Sequence, residues 1–356
     1  MPGTDRSNAF DAIRLVAAGT VIAGHAWPLT GMPDPPRVGG IAIFHLAVYV
    51  FFSLSGYLVG TSWIRDARPL PFLLRRASRI FPALALVVLL TIFVVGPLAT
   101  TLPLPDYFAS PVSWGYWQNL TLLATYDLPG VFTELPRPVV NGSLWTLGPE
   151  FTCYLGVLGV GLATRLVPQR HRGWVASVAF ALLAVALAVV SLIPDAVPDS
   201  LQATTRAMTF FATGAALAQP RLVRFPARPA ILLAAAWALG VLLTDVPDIV
   251  WCWIALPYLV LAVGSRSIAG VRRAGRFGDL SYGMYLWGFP VQQLVVLFVP
   301  GVPLPVDILI VLVATGGIAL ASWHLVEAPA LRFGRLQAGR SRTHGSSHPI
   351  MNKSLV

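Results

Sequence analysis

The sequence predicts an all-α integral membrane protein: a bundle of about ten transmembrane helices with the N- and C-termini cytoplasmic. Three observations carry that expectation. Hydrophobic residues make up 56% of the 356 residues and charged residues only 11%, with a mean hydropathy of +0.71; a soluble domain carries about 25% charged residues. The apolar residues fall in runs of roughly 20, the length that crosses a bilayer core of about 30 Å. Basic residues gather between alternate runs. In lipid, backbone polar groups must be satisfied within each segment, so the runs read as helices.

The spans lie at about 9–27, 41–63, 80–99, 143–164, 174–193, 201–218, 229–244, 249–264, 280–299 and 306–325. The first has no convincing cleavage site and is expected to remain as a span, not to be removed as a signal peptide. Residues 1–335 form the expected membrane-embedded domain. Residues 336–356 are polar and rich in Ser and Arg, and are expected to form a disordered cytoplasmic tail. The connection at 100–142 contains Pro103, Pro105, Trp114, Tyr116 and Trp117. It fits either an interfacial or re-entrant segment or a surface loop packed on the bundle.

Net charge is +10, and 24 of the 25 basic residues are Arg. The segments 65–79, 165–172, 221–228, 266–276 and 332–353, together with Arg6 and Arg14, hold 22 of them. That alternation sets the orientation by the positive-inside rule. It also argues against nucleic acid as a partner, because the charge is dispersed among membrane loops. Cys153 and Cys252 both fall in apolar runs and read as small buried residues. No cluster of metal-ligand type is present, and no metal or permanently bound cofactor is expected.

Ionisable groups within spans are costly, roughly 2.5–3.5 kcal/mol at a helix centre, and are functional candidates for that reason. They are Asp11, Arg14, His25, His45, Glu150, Arg206, His324 and Glu327. Arg14 and His25 are about three turns apart, on one face of the first helix and separated by roughly 16 Å. Asp11 can pair with Arg14 across one turn. Ser53, Ser55 and Gly56 in FFSLSGYL permit close helix approach. Arg75, Arg76 and Arg79 lie in an expected loop, LRRASRIFP; Arg76 and Arg79, one turn apart, can share one anion. The chain lacks a glycine-rich phosphate loop, so any phosphate recognition falls to Arg. Glu150 follows Trp145 and precedes Tyr154 by one turn, and a buried carboxylate there needs a partner or a proton. Tyr282 and Tyr285 lie one turn apart in SYGMYLW. Glu327 in HLVEAP reads as a helix-end carboxylate paired with a loop Arg.

In order, these segments resemble the membrane acyltransferase-3 family, typified by bacterial O-antigen and other surface-glycan O-acetyltransferases. The likeness rests on Arg14 and His25, FFSLSGYL at 51–58, Arg76 and Arg79, Trp145 to Tyr154, SYGMYLW at 281–287 and EAP at 327–329. It covers roughly residues 8–335. Gly288 departs from the pattern, since many members have His there; the departure puts more weight on His25. Some members carry a further extracytoplasmic hydrolase-like domain, which is not expected in this chain.

The resemblance implies a multi-pass enzyme of the cytoplasmic (inner) membrane, an O-acyltransferase. It would move an acyl group, acetyl first among candidates, from cytoplasmic acyl-CoA, a co-substrate, to a hydroxyl. The expected partners are acyl-CoA, a glycan or lipid-linked sugar acceptor, and membrane lipid. Arg76 and Arg79 would hold CoA phosphates, and Arg14 would bind donor phosphate or fix the first helix. His25, with an unperturbed pKa of about 6.5, would be the general base, and Glu150 would orient or stabilise the imidazole. Ser55, Tyr154, Tyr282, Tyr285 and Trp145 are candidate oxyanion or acceptor contacts. Two alternatives remain: acylation of a secreted, macrolide-like small molecule, and a transporter for a glycan or anion. Many transporters show internal repeats, and no repeat is evident.

Overall fold

The computed structural model describes residues 9–219, 225–266 and 278–334. The tail at 336–356 and parts of the basic connections near 221–224 and 267–277 lie outside the described residues.

Ten long helices can be followed among the described residues: α1 Phe10–Leu29, α2 Ile43–Arg65, α3 Pro69–Leu90, α4 Leu147–Ala163, α5 Gln169–Leu192, α6 Asp199–Ala216, α7 Ala227–Leu243, α8 Asp248–Gly264, α9 Leu280–Phe298 and α10 Leu304–Ser322. The only sheet among these residues is a two-residue hairpin pairing Arg37–Val38 with Ile41–Ala42. Five helical segments are long and apolar enough to cross a membrane: 10–29, 43–65, 69–99, 169–192 and 304–334. Helices 227–243 and 248–264 are shorter and also apolar. The protein is an all-α membrane protein.

Helix α3 begins earlier than the sequence reading placed it. Pro69 at its first position fixes φ for a helical start, and the arginines of LRRASRIFP therefore stand on a helix, not in a loop. The helix continues through a π turn at Thr91–Val95 to Ala99. There Tyr107 from the following connection donates to the Ile92 carbonyl at 2.9 Å. That connection folds into short helical turns at 104–109, 111–115 and 116–121, with Tyr107 and Tyr116 fully buried. It packs on the bundle as a structured loop.

Helices α2 and α6 lie nearly backbone to backbone. A Cβ added at Gly56 would meet the Phe211 carbonyl, and one at Gly214 would meet the Ser53 carbonyl. Without a hydrophobic drive between helices in lipid, such small-residue seams let dispersion and polar contacts hold the pair. Helix α1 is flanked by α2 and α9, and α9 packs along α10. Pro290 in α9 lacks the N–H that would bond the Leu286 carbonyl. Asn141 supplies the missing donor through Nδ2 at 3.0 Å. Gln293 fastens the same loop, donating to the Arg137 and Val139 carbonyls at 2.6 and 2.7 Å.

Candidate active site

Helices α1, α2, α3 and α9 and the start of α4 line a partly open cavity. One part of its wall is cationic, with Arg14, Arg76 and Arg79. Another is apolar, including Val48, Phe51, Phe52 and Leu147. Glu150, Ser55, Tyr154, Tyr282 and Tyr285 complete the polar lining.

The three arginines are held differently. Arg79 donates through Nη2 to Asp279 Oδ2 at 2.6 Å, and Arg14 Nη1 reaches the same oxygen at 3.4 Å. Arg14 also lies 3.6 Å from Asp11. Asp279 is fixed by its neighbours: Ser281 donates to Oδ1 at 2.5 Å. Gly278, at φ +106°, sits where a Cβ would strike the Trp323 indole; only glycine suits both constraints. Arg76 has no such counter-ion among the described residues. Its Nε is buried without a hydrogen bond. Its guanidinium lies 5.7 Å from the Tyr154 ring and 5.9 Å from the Phe72 ring. Arg75 points elsewhere, to Asp66 at 2.8 Å.

Glu150 falls in the first turn of α4, after a 3-10 turn at Gly142–Thr146. Its Oε1 accepts from Tyr154, one turn on, at 2.5 Å and from Ser55 of α2 at 3.0 Å. Tyr282 donates to the Ile80 carbonyl at 3.0 Å, and Tyr285 to the Ser143 carbonyl at 3.1 Å, with the Thr146 hydroxyl 2.8 Å away. The four candidate oxyanion donors therefore all direct their protons to internal acceptors in this state. Trp145 packs against the core and lies outside the cavity wall.

His25 is not part of that wall. Its ring sits 4.6 Å from Phe44 and 5.7 Å from Phe289. Phe44 is one turn before the cavity residue Val48, and Phe289 one turn after Tyr285. The imidazole therefore stands about one helical turn, roughly 5 Å, beyond the cavity's end. Its Nδ1 is 2.8 Å from the Val21 carbonyl. A carbonyl only accepts, so Nδ1 carries the proton and Nε2 presents a lone pair. Among the described residues the orienting partner of His25 is thus Val21, and no hydrogen bond joins it to Glu150. Glu327 is buried and accepts from Ser322 at 2.9 Å; no Arg pairs with it among the described residues. His324 is exposed.

The sequence reading passed over Asp279, although GDLSY places a lone carboxylate just ahead of an apolar run. It also passed over the Val21 carbonyl, which no side-chain pattern can announce.

The structure thus has a cationic chamber inside a helical membrane bundle, a setting suited to a membrane protein that handles an anionic substrate. The family model described as an acyltransferase domain matches residues 7–326, and the chain belongs to that acyltransferase-3 family. It is 31% identical over 299 residues to the O-acetyl transferase of Shigella phage Sf6, covering 82% of this chain and 86% of that one. It is 36% identical over 160 residues to nodulation protein 10 of Rhizobium leguminosarum bv. viciae, 42% of each chain. It is 31% identical over 137 residues to regulator of hypoxia-inducible factor 1 of Caenorhabditis elegans, 35% of this chain and 25% of that one. No solved structure matches the chain.

Proposed function

We propose that this acyltransferase moves an acyl group, acetyl in the simplest case, from cytoplasmic acyl-CoA to a hydroxyl of a surface-glycan or lipid-linked sugar. It does so as a ten-span protein of the inner membrane with both termini cytoplasmic. The observation that carries the reading is the cavity itself. Arg76 stands in it without a counter-ion beside Arg14 and Arg79, and its other end stops one turn short of His25.

Donor phosphates bind at Arg76 and Arg79, since guanidinium groups meet phosphate oxygens in bidentate fashion. Arg14 supports them and keeps α1 in register. The pantetheine arm lies along the apolar wall and brings the thioester towards His25. The acceptor O–H gives its proton to His25 Nε2 as its oxygen bonds to the thioester carbon. The tetrahedral adduct then expels the thiolate, which takes the proton back from the imidazolium and leaves as CoA thiol. The Val21 carbonyl holds the imidazole tautomer through both transfers. Glu150 keeps Ser55 and Tyr154 aligned on the cavity wall. An oxyanion contact from any of the four hydroxyls requires that hydroxyl to turn from its present acceptor.

The test is His25→Ala in lipid discs, with CoA release followed in the presence of an acceptor. Turnover should fall about 10²–10⁴-fold, the usual worth of a positioned general base, with CoA affinity unchanged. Retained turnover removes the assignment. Transport of a glycan without any acyl donor would favour a carrier instead.

A further inference from the structure

Apart from the arginine-rich connections and Arg6 and Arg14 near the N-terminus, the chain has only three basic residues: Arg37, Arg137 and Arg206. Two of them converge. Tyr49 of α2 stacks on Phe210 of α6 with ring centroids 4.3 Å apart. One turn on, a Cβ at Gly214 would meet the Ser53 carbonyl. Residues 49 and 53 therefore run level with 210 and 214. One turn the other way, His45 comes level with Arg206. Arg37 pairs with Ala42 directly ahead of α2, at the same end of that helix as His45. Arg37 is tied to a carbonyl, that of Gly40, at 2.9 Å. The Arg206 Nε is buried without a hydrogen bond, and among the described residues no carboxylate pairs with this guanidinium.

An unpaired cation packed inside an apolar helical bundle is costly, and basic neighbours add repulsion. An anion arriving there relieves both. The place is also suggestive. The His45 ring is 4.4 Å from Phe44, which is 4.6 Å from His25. The basic group thus lies across Phe44 from the imidazole, beyond the end of the cavity.

We propose that Arg206, with His45, forms an anion subsite for a phosphate or carboxylate carried by the acceptor. This rests on the transferase reading above and narrows the acceptor to an acidic or phosphate-linked sugar. Arg206 grips the anion, and the hydroxyl to be acylated is thereby presented to His25.

The full chain is placed in phosphatidylcholine discs with saturating CoA, so that the inner arginines are occupied. Its thermal unfolding is then followed as inorganic pyrophosphate is added. Pyrophosphate should raise the midpoint of the wild type, Arg206→Gln should abolish the rise, and Arg206→Lys should keep part of it. A rise that survives Arg206→Gln, or no rise in the wild type, overturns the subsite. Discs doped with phosphatidylglycerol separate the sources of the anion. An undiminished rise supports an acceptor group, whereas suppression overturns that assignment and gives the site to a lipid headgroup. CoA alone should raise the midpoint in the same experiment. Its failure to do so counts against the donor reading and leaves the Arg206 comparison intact.

Discussion

Two arginines one turn apart on α3 behave differently because of a single carboxylate. Arg79 is bound to Asp279 at 2.6 Å, whereas Arg76 has only aromatic faces beside it. Breaking a buried ion pair strands the surviving charge and costs about 3–5 kcal/mol. Arg79→Ala should lower stability by less than that range, about 1–2 kcal/mol, because the pair is only partly buried and Arg14 still faces Asp279. Arg76→Ala strands nothing, since it removes a cation with no partner. Its thermal midpoint should equal or exceed that of the wild type, while the KM for acyl-CoA rises at least about tenfold, the loss of one charge-assisted contact of roughly 1.5–3 kcal/mol. Thermal unfolding in lipid discs and donor titration check the pair. Equal destabilisation by the two changes would mean that Arg76 has a structural partner. An Arg76→Ala effect confined to kcat would remove it from phosphate binding. The R-x-x-R spacing announces two guanidinium groups on one face. It does not say which is spoken for, because the counter-ion lies 200 residues further along the chain.

At the scale of elements, breaks in regular helices are matched by donors from elsewhere. The Leu286 carbonyl, orphaned by Pro290, takes the Asn141 amide. Asn141→Ala should cost about 1–3 kcal/mol, the desolvation of an unmade hydrogen bond. In a Pro290→Ala background, with the helical N–H restored, the same change should cost far less. A double-mutant cycle on unfolding free energy reads the difference directly, and simple additivity would refute the account. The α2–α3 turn is tied electrostatically. The Arg68 hydrogen bond, joined by Arg75, holds the Asp66 carboxyl well below the usual carboxylate range despite some burial. A depressed carboxylate stabilises above its unfolded pKa, about 3.9, and that contribution fades as pH falls through the lower folded value. Asp66→Asn should therefore lower stability by less than about 1 kcal/mol. The difference from wild type should be constant above about pH 5 and should shrink only in acid; a difference that changed between pH 6 and 8 would implicate another group. Hydropathy made the helices legible to within a few residues at most ends. It misplaced the start of α3 because six polar and proline residues at its head, between 69 and 79, dilute the apolar signal, although Pro69 at the first position is a helix-start cue. The π turn at Thr91–Val95 left no mark of its own in the hydropathy; its Ile92 carbonyl accepts from Tyr107 of the next segment.

Across the whole molecule, Arg76 lies in the cavity and His25 stands about one turn past its other end. Sequence order gave no measure of that separation. Arg14 and His25 are both on α1, yet Arg14 lines the cavity and His25 stands past its end among Phe44 and Phe289. The sequence could show that the two groups share a helix face, but not that aromatic side chains from α2 and α9 separate them, because that depends on how three helices meet. If the donor arm must pass this point, binding and chemistry are separable by position. Val48, buried on α2, lines the cavity one turn short of Phe44, where the thioester would cross from chamber to base. Val48→Phe enlarges a side chain at that crossing and leaves the arginines untouched. CoA should bind with wild-type affinity, since its phosphates sit at the other end, while kcat falls steeply. A near-attack geometry tolerates little displacement, and misplacement by about 1 Å can cost 10²-fold. Isothermal titration with CoA beside turnover measurements decides the matter: intact binding with lost turnover fits a throat at Val48. Lost binding would put the donor deeper than proposed, and unchanged turnover would mean that the thioester reaches its base by another route.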